Sequence, residues 1–211
     1  VPPPSPGHDT SVGARDAKKY AVDKIGEKTL FRGSWLSLRN LTYRTAAGSR
    51  LEWEIIVRSR EETVVVVLAR LRPSGRYLLI RQFRPGVQAR VIALPAGCVA
   101  PGRDIRLQAE AELKEETGYS GTIVSVSPRL KINPAVLDCD LYLVEMEVDE
   151  TAPENLEPRQ ELEPEEEIEV FPVEPARIRE FLRAQAAAGC EIASACWLIF
   201  ETGPGPASAG G

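Results

Sequence analysis

The stretch LQAEAELKEETGY (residues 107–119) places Glu110, Glu112, Glu115 and Glu116 in one short run with a single lysine, Lys114. Asp104 ahead of it is a capping residue and Gly118 a natural stop, so the run reads as a helix from about Asp104 to Thr117. Like charges three and four residues apart on a helix repel. Glu112, Glu115 and Glu116 stand at i, i+3 and i+4 and so project from one side. Such crowding has two readings: a solvated surface helix, or a set of carboxylates gathered around a cation. The preceding loop LPAGCVAPGRD (residues 94–104) is rich in Gly and Pro and offers backbone carbonyls to the same cation. Three carboxylates and a carbonyl suit Mg²⁺ or Mn²⁺, since a hard ion commonly pairs a few carboxylates with substrate phosphate oxygens.

Composition narrows the chemistry. The chain has 211 residues, 43% hydrophobic and 27% charged, as in an ordinary globular protein. A net charge of -5 gives no general affinity for nucleic acid or an anionic membrane, and no apolar run approaches the length of a membrane span. The one histidine is His8, in a Pro/Gly/Ser-rich start. That excludes Ser-His-Asp and Cys-His mechanisms and a His-ligated metal, and leaves carboxylates to do any catalysis. Cys98, Cys139, Cys190 and Cys196 are scattered without a CxxC pair, which suggests neither zinc nor a disulfide framework, and a reducing cytoplasm is the expected location.

Along the chain, residues 1–17 and 204–211 read as flexible tails. Residues 29–60 read as two or three strands with a turn at AAGSR. ETVVVVLARL (62–71) is a buried strand, YLLIRQFR (77–84) another, and VIALPAG (91–97) a loop. GTIVSVSPRLKI (121–132), DLYLVEMEV (140–148) and IEVFPV (168–173) are further strands, the last preceded by a long acidic loop over residues 149–167. PARIREFLRAQAAAG (175–189) is an amphipathic helix opened by Pro175, and EIASACWLIFE (191–201) a more apolar helix whose Trp197 is expected in the core. Strands around one central helix, followed by terminal helices, indicate a mixed sheet with helices packed on it.

From Gly97 to Tyr119 the sequence resembles the Nudix box, G-x5-E-x7-R-E-U-x-E-E-x-G-U, where U is a bulky aliphatic residue. Gly97, Glu112-Leu113, Glu115-Glu116 and Gly118-Tyr119 fall in register, while Arg103 stands for the first Glu and Ala111 for the Arg. Loss of both partners leaves no charge unpaired. The flanks IRQFRP (80–85), ALPAG (93–97) and NPAVLDC (133–139) resemble the ADP-ribose and ADP-sugar pyrophosphatase branch of the Nudix hydrolases, with Ala93 where that branch carries an acid and Ala135 where it carries Gly.

The resemblance implies an α/β fold: a Nudix-type α/β/α sandwich with a mixed β-sheet (62–203) plus an N-terminal antiparallel strand extension (18–61). It implies a homodimer with exchanged N-terminal strands, acting on a small nucleotide sugar and on neither nucleic acid nor membrane. Glu112, Glu115, Glu116 and the Ala96 carbonyl would bind the metal. Trp35 and Trp53, one on each of two N-terminal strands, would stack on the base, and Arg58 and Arg84 would hold the diphosphate and ribose. The branch keeps its catalytic carboxylate in the acidic loop just before the IEV strand, which points to Glu166, with Glu165 and Glu167 as neighbouring candidates. The implied reaction is metal-dependent hydrolysis of ADP-ribose to AMP and ribose 5-phosphate. The departures at Ala93, Arg103 and Ala111 leave an alternative, a degenerate member that binds or senses a nucleotide sugar with little or no hydrolysis.

Overall fold

The four consecutive valines Val64–Val67 decide how the chain layers. Val65, Val67, Ala69 and Leu71 point into one core, and Val66 into another, with Val64 and Leu68 packed beside it. A strand alternates its side chains between faces, so an unbroken apolar run means burial on both. In this computed structural model, which describes residues 22–58, 63–164 and 166–201, the chain divides into two compact units. One comprises residues 1–61 with 133–139, the other residues 62–132 with 140–211.

The strands in chain order begin with β1 (Val22–Arg32), β2 (Leu36–Thr45), β3 (Arg50–Arg58), β4 (Thr63–Arg72) and β5 (Tyr77–Arg84). There follow β6 (Ala89–Ala93), β7 (Ala96–Val99), β8 (Thr122–Val126), β9 (Leu130–Lys131) and β10 (Leu137–Asp138). The last are β11 (Asp140–Asp149), β12 (Ile168–Val173) and β13 (Glu191–Ile192). The helices are α1 (Ile105–Thr117), α2 (Ile178–Ala187) and α3 (Ser194–Glu201).

In the second unit the sheet runs β13-β6-β5-β4-β11-β8, with β12 on β5, β7 on β4 and β9 on β11. It is mixed: β4 and β11 are parallel from Val64–Leu141 to Arg72–Asp149, as are β6 and β13, while the other pairs are antiparallel. Ala109 and Leu113 of α1 fill the first core, and Ile178 and Leu182 of α2 with Cys196 of α3 fill the second. This is the expected α/β/α layering. The first unit is an antiparallel β1-β2-β3 sheet with β10 added parallel to β3.

Several local expectations are corrected. β1 begins at Val22, seven residues before the run read as strand, because pairing with β2 overrides its charged and glycine-bearing sequence. Residues 91–97 are largely strand, since β6 pairs with β5 and β7 with β4 despite the intervening Leu94-Pro95. Pro175 opens a 3₁₀ turn and α2 starts only at Ile178. Glu191-Ile192 is strand β13, so the last helix begins at Ser194. Trp197 is 39% exposed and not core; the small Cys196 is the residue this short helix buries fully. The expected tails, 1–17 and 204–211, lie outside the described residues.

Gly118 ends α1 with φ +79° and its N–H donates to the Lys114 carbonyl. A Cβ there would stand 2.4 Å from the Arg159 nitrogen. Gly118→Ala should therefore cost more than 2 kcal/mol (roughly) of strain and overlap together, whereas Gly102→Ala, also at positive φ but with nothing nearby, should cost about 1 kcal/mol. Denaturant titration of the two variants checks the difference.

Candidate active site

Helix α1 is set by its own sequence. The Asp104 carboxylate accepts from the Arg106 N–H at 2.7 Å, capping the first turn. Ala109 and Leu113 bury one face, which turns the Glu112/Glu116 side toward β7. Glu116 is only 3% exposed, and its Oε2 accepts from the Ala96 N–H at 2.9 Å. Glu112 is half-buried; its Oε1 accepts from Gln108 Nε2 at 2.6 Å. Its carboxylate lies on the bare backbone of Gly97, where an added Cβ would fall 1.7 Å from Oε1. Glycine at that position is thus a requirement of close approach. Glu115, between them, is exposed.

Burial dominates the electrostatics. It pushes the Glu116 carboxyl up to about 8 against the Ala96 amide bond, with Glu112 and Glu166 adding to the rise and Arg84 opposing it. Glu112 is also raised, first by burial, against the Gln108 bond; Glu115 and Glu166 add to it and Arg103 opposes. Glu166 therefore acts on both Glu112 and Glu116 from the acidic loop, and Arg84 and Arg103 are the cations that act on them.

That loop is fastened to the end of α1. Gln160 Nε2 donates to the Glu116 carbonyl at 2.6 Å and to the Ile168 carbonyl at 3.0 Å. The Glu161 N–H donates to the Glu115 carbonyl at 2.9 Å. Two of the orphan carbonyls that every helix C-terminus leaves are satisfied this way. Glu166 Oε2 accepts from the Glu163 N–H at 3.2 Å, and the Glu166 N–H donates to the Glu163 carbonyl at 2.9 Å. Glu167 is exposed and 3.9 Å from Arg90. Glu165 lies outside the described residues.

Sequence reasoning passes over Gln108 and Gln160. A glutamine inside an acidic run carries no motif, and its value here comes from which groups it reaches. Arg81 is taken up inside the fold, donating to Glu169 at 2.6 and 3.0 Å and to Gln185 at 3.1 Å. Arg84 ends β5 and is exposed.

The remaining sequence candidates belong to the first unit. Trp35 lies in the bend between β1 and β2, not on a strand, and is 70% exposed. Trp53 is on β3, 44% exposed, with its Nε1 donating to the Ala135 carbonyl at 2.7 Å. Arg58 is the last residue of β3.

Among the described residues no three acidic side chains converge on one point, because Glu116 is turned to the Ala96 amide and Glu112 to Gln108. The observed contact of Ala96 is through its N–H; the carbonyl role remains a proposal. The donor set nonetheless fits a hard divalent ion: none of the three glutamates is ion-paired among the described residues, and two are held in surroundings that disfavour their charged form.

A NUDIX domain model matches residues 60–195. Over 148 residues the chain is 40% identical to the ADP-ribose pyrophosphatase of Saccharomyces cerevisiae, a match covering 66% of this chain and 64% of the yeast protein. The chain thus spans somewhat under two thirds of that relative's length. It is 32% identical to a nudix hydrolase of Caenorhabditis elegans, over 75% of this chain and 74% of that protein. With the ADP-sugar pyrophosphatase of Mus musculus it shares 26% identity, over 63% and 64%. The crystal structure of an ADP compounds hydrolase superposes with a TM-score of 0.60 at 18% identity, covering 86% of this chain and 93% of that one, which shows the common fold. The chain belongs to the Nudix hydrolase family.

The raised Glu116 carboxyl has a measurable consequence. The folded state holds this proton more tightly than the unfolded chain. The stability it contributes is complete below the ordinary carboxyl value of 4.5 and is lost as pH climbs through about 8. Denaturant unfolding in a chelator should show stability falling by a few kcal/mol between these limits, and Glu116→Gln should flatten much of that fall.

Proposed function

We propose that the protein hydrolyses the diphosphate of a nucleoside diphosphate sugar in a metal-dependent reaction, with ADP-ribose the favoured substrate: ADP-ribose and water give AMP and ribose 5-phosphate. The observation that carries this reading is the pair of glutamates, half-buried Glu112 on Gly97 and buried Glu116 on Ala96, with Glu166 acting on both. Glu112, Glu115, Glu116 and the Ala96 carbonyl would hold Mg²⁺ or Mn²⁺, which would supply Lewis acidity toward the phosphoryl oxygens and orient water. Glu166, or its neighbours Glu165 and Glu167, accepts a proton from the attacking water. Arg84 and Arg58 carry the fork of donors that suits phosphate and ribose oxygens. Trp35 and Trp53 offer exposed faces to the base, and stacking of a base on an aromatic contributes about 1–3 kcal/mol.

The relatives' names support the substrate class, and the fold of an ADP compounds hydrolase agrees with it. The proposed assembly is a homodimer that exchanges N-terminal strands, for which residues 18–61 serve dimerisation and base binding. Its support is the row of exposed apolar side chains on or beside β1–β3: Val22, Leu30, Phe31, Trp35, Leu51 and Trp53. A cytoplasmic setting is consistent with the scattered spacing of the four cysteines. Among the described residues no helix is long and apolar enough to cross a membrane.

The substitutions at Ala93, Arg103 and Ala111 favour one second reading, a family member that binds the nucleotide sugar without hydrolysing it. AMP release from ADP-ribose with Mg²⁺, measured together with ADP-ribose binding, separates the two. The hydrolase reading expects metal-dependent turnover that falls by at least 10²-fold (roughly) in Glu116→Gln while binding persists. Tight binding with no turnover by the native chain, across several nucleotide sugars and with both Mg²⁺ and Mn²⁺, would establish the binder.

A further inference from the structure

Gln108 stands one turn before Glu112 on α1 and is 6% exposed. Its Nε2 donates to Glu112 Oε1 at 2.6 Å, and its own Oε1 is buried without a protein partner. A buried amide with half its hydrogen bonding unmet costs free energy that alanine or methionine would not. The i, i+4 hydrogen bond to Glu112 offsets only part of that cost. What the residue serves is visible in the geometry. The Glu112 carboxylate lies against Gly97, and its Oε1, the oxygen nearest that glycine, is the one that accepts from Gln108, so its orientation is fixed by a glycine that makes room and an amide that holds.

We propose that Gln108 is a positioning residue for Glu112, holding one carboxylate oxygen so that the other is presented to a divalent cation. The idea rests on Glu112 being a metal ligand. It goes further in assigning the orienting role to a side chain that the Nudix box leaves unspecified. Ala111, the position next to Glu112 where the box has Arg, provides no donor side chain here; Gln108 provides one from the previous turn. Partners that orient a ligand typically change metal affinity 10- to 100-fold (roughly) when removed.

The test is Mn²⁺ binding followed by electron paramagnetic resonance, in the native chain, Gln108→Met, Gln108→Ala, Glu112→Gln and the double variant Gln108→Met/Glu112→Gln. Circular dichroism verifies folding, and the methionine keeps the side-chain volume while the alanine covers the case in which methionine does not fit. The expected result is about a tenfold weaker Mn²⁺ affinity in both Gln108 variants. In the Glu112→Gln background, Gln108→Met should change affinity less than about twofold, because an effect routed through Glu112 disappears with it. A Gln108 loss under twofold in the native background, or an equal loss in both backgrounds, overturns the proposal. Failure of the native chain itself to bind Mn²⁺ would instead remove the metal reading, and this proposal with it.

Discussion

The burial of Glu116 against the Ala96 amide is the constraint around which the rest of the site is arranged. A carboxylate that is 3% exposed, with one backbone N–H for a partner and two more glutamates acting on it, sits in surroundings that favour its proton. Burying such a group carries a cost unless its charge is matched. The fold places it there all the same, because Glu116 shares the buried face of α1 with Ala109 and Leu113, which sit in the core, and meets β7 at Ala96. In the proposed function a divalent cation would resolve the conflict by turning disfavoured charges into ligands.

Two backbone features make this arrangement possible. Gly97 lets the Glu112 carboxylate lie where any side chain would collide with it, and Gly118 lets the acidic loop cross close over the end of the helix. Gln160 then ties that loop to the Glu116 carbonyl on one side and to β12 on the other. The glutamates proposed to bind metal and the carboxylate proposed to act on water are thereby fastened to one helix terminus. The electrostatic effect of Glu166 on Glu112 and Glu116 follows from this fastening.

Much of this is legible in the residues themselves. Asp104 and Gly118 mark both ends of α1, and the i, i+3, i+4 spacing of its glutamates puts them on one side by arithmetic alone. The apolar run Val64–Val67 is readable as a buried strand. What sequence does not convey depends on partners distant in the chain. β6 and β7 look like loop because Ala and Pro have little strand character, and only pairing with β5 and β4 makes them sheet. Trp197 looks like core because its helix is apolar, yet in eight residues the helix buries the small Cys196. Gln108 and Gln160 have no pattern to be found by, since their roles lie in single hydrogen bonds. The spacing that groups three glutamates on one side likewise conceals how differently they are buried, from exposed Glu115 to enclosed Glu116.

The most direct test of this account is calorimetric titration of the protein with Mg²⁺ at about pH 7 in buffers of different ionisation enthalpy. A Glu116 carboxyl held near 8 is mostly protonated at that pH, and it must lose the proton to become a ligand. The account expects release of about one proton per ion bound, largely abolished in Glu116→Gln. Heats that are independent of the buffer, with Mg²⁺ binding intact, would contradict it, because the ion would then be held without engaging the buried carboxylate.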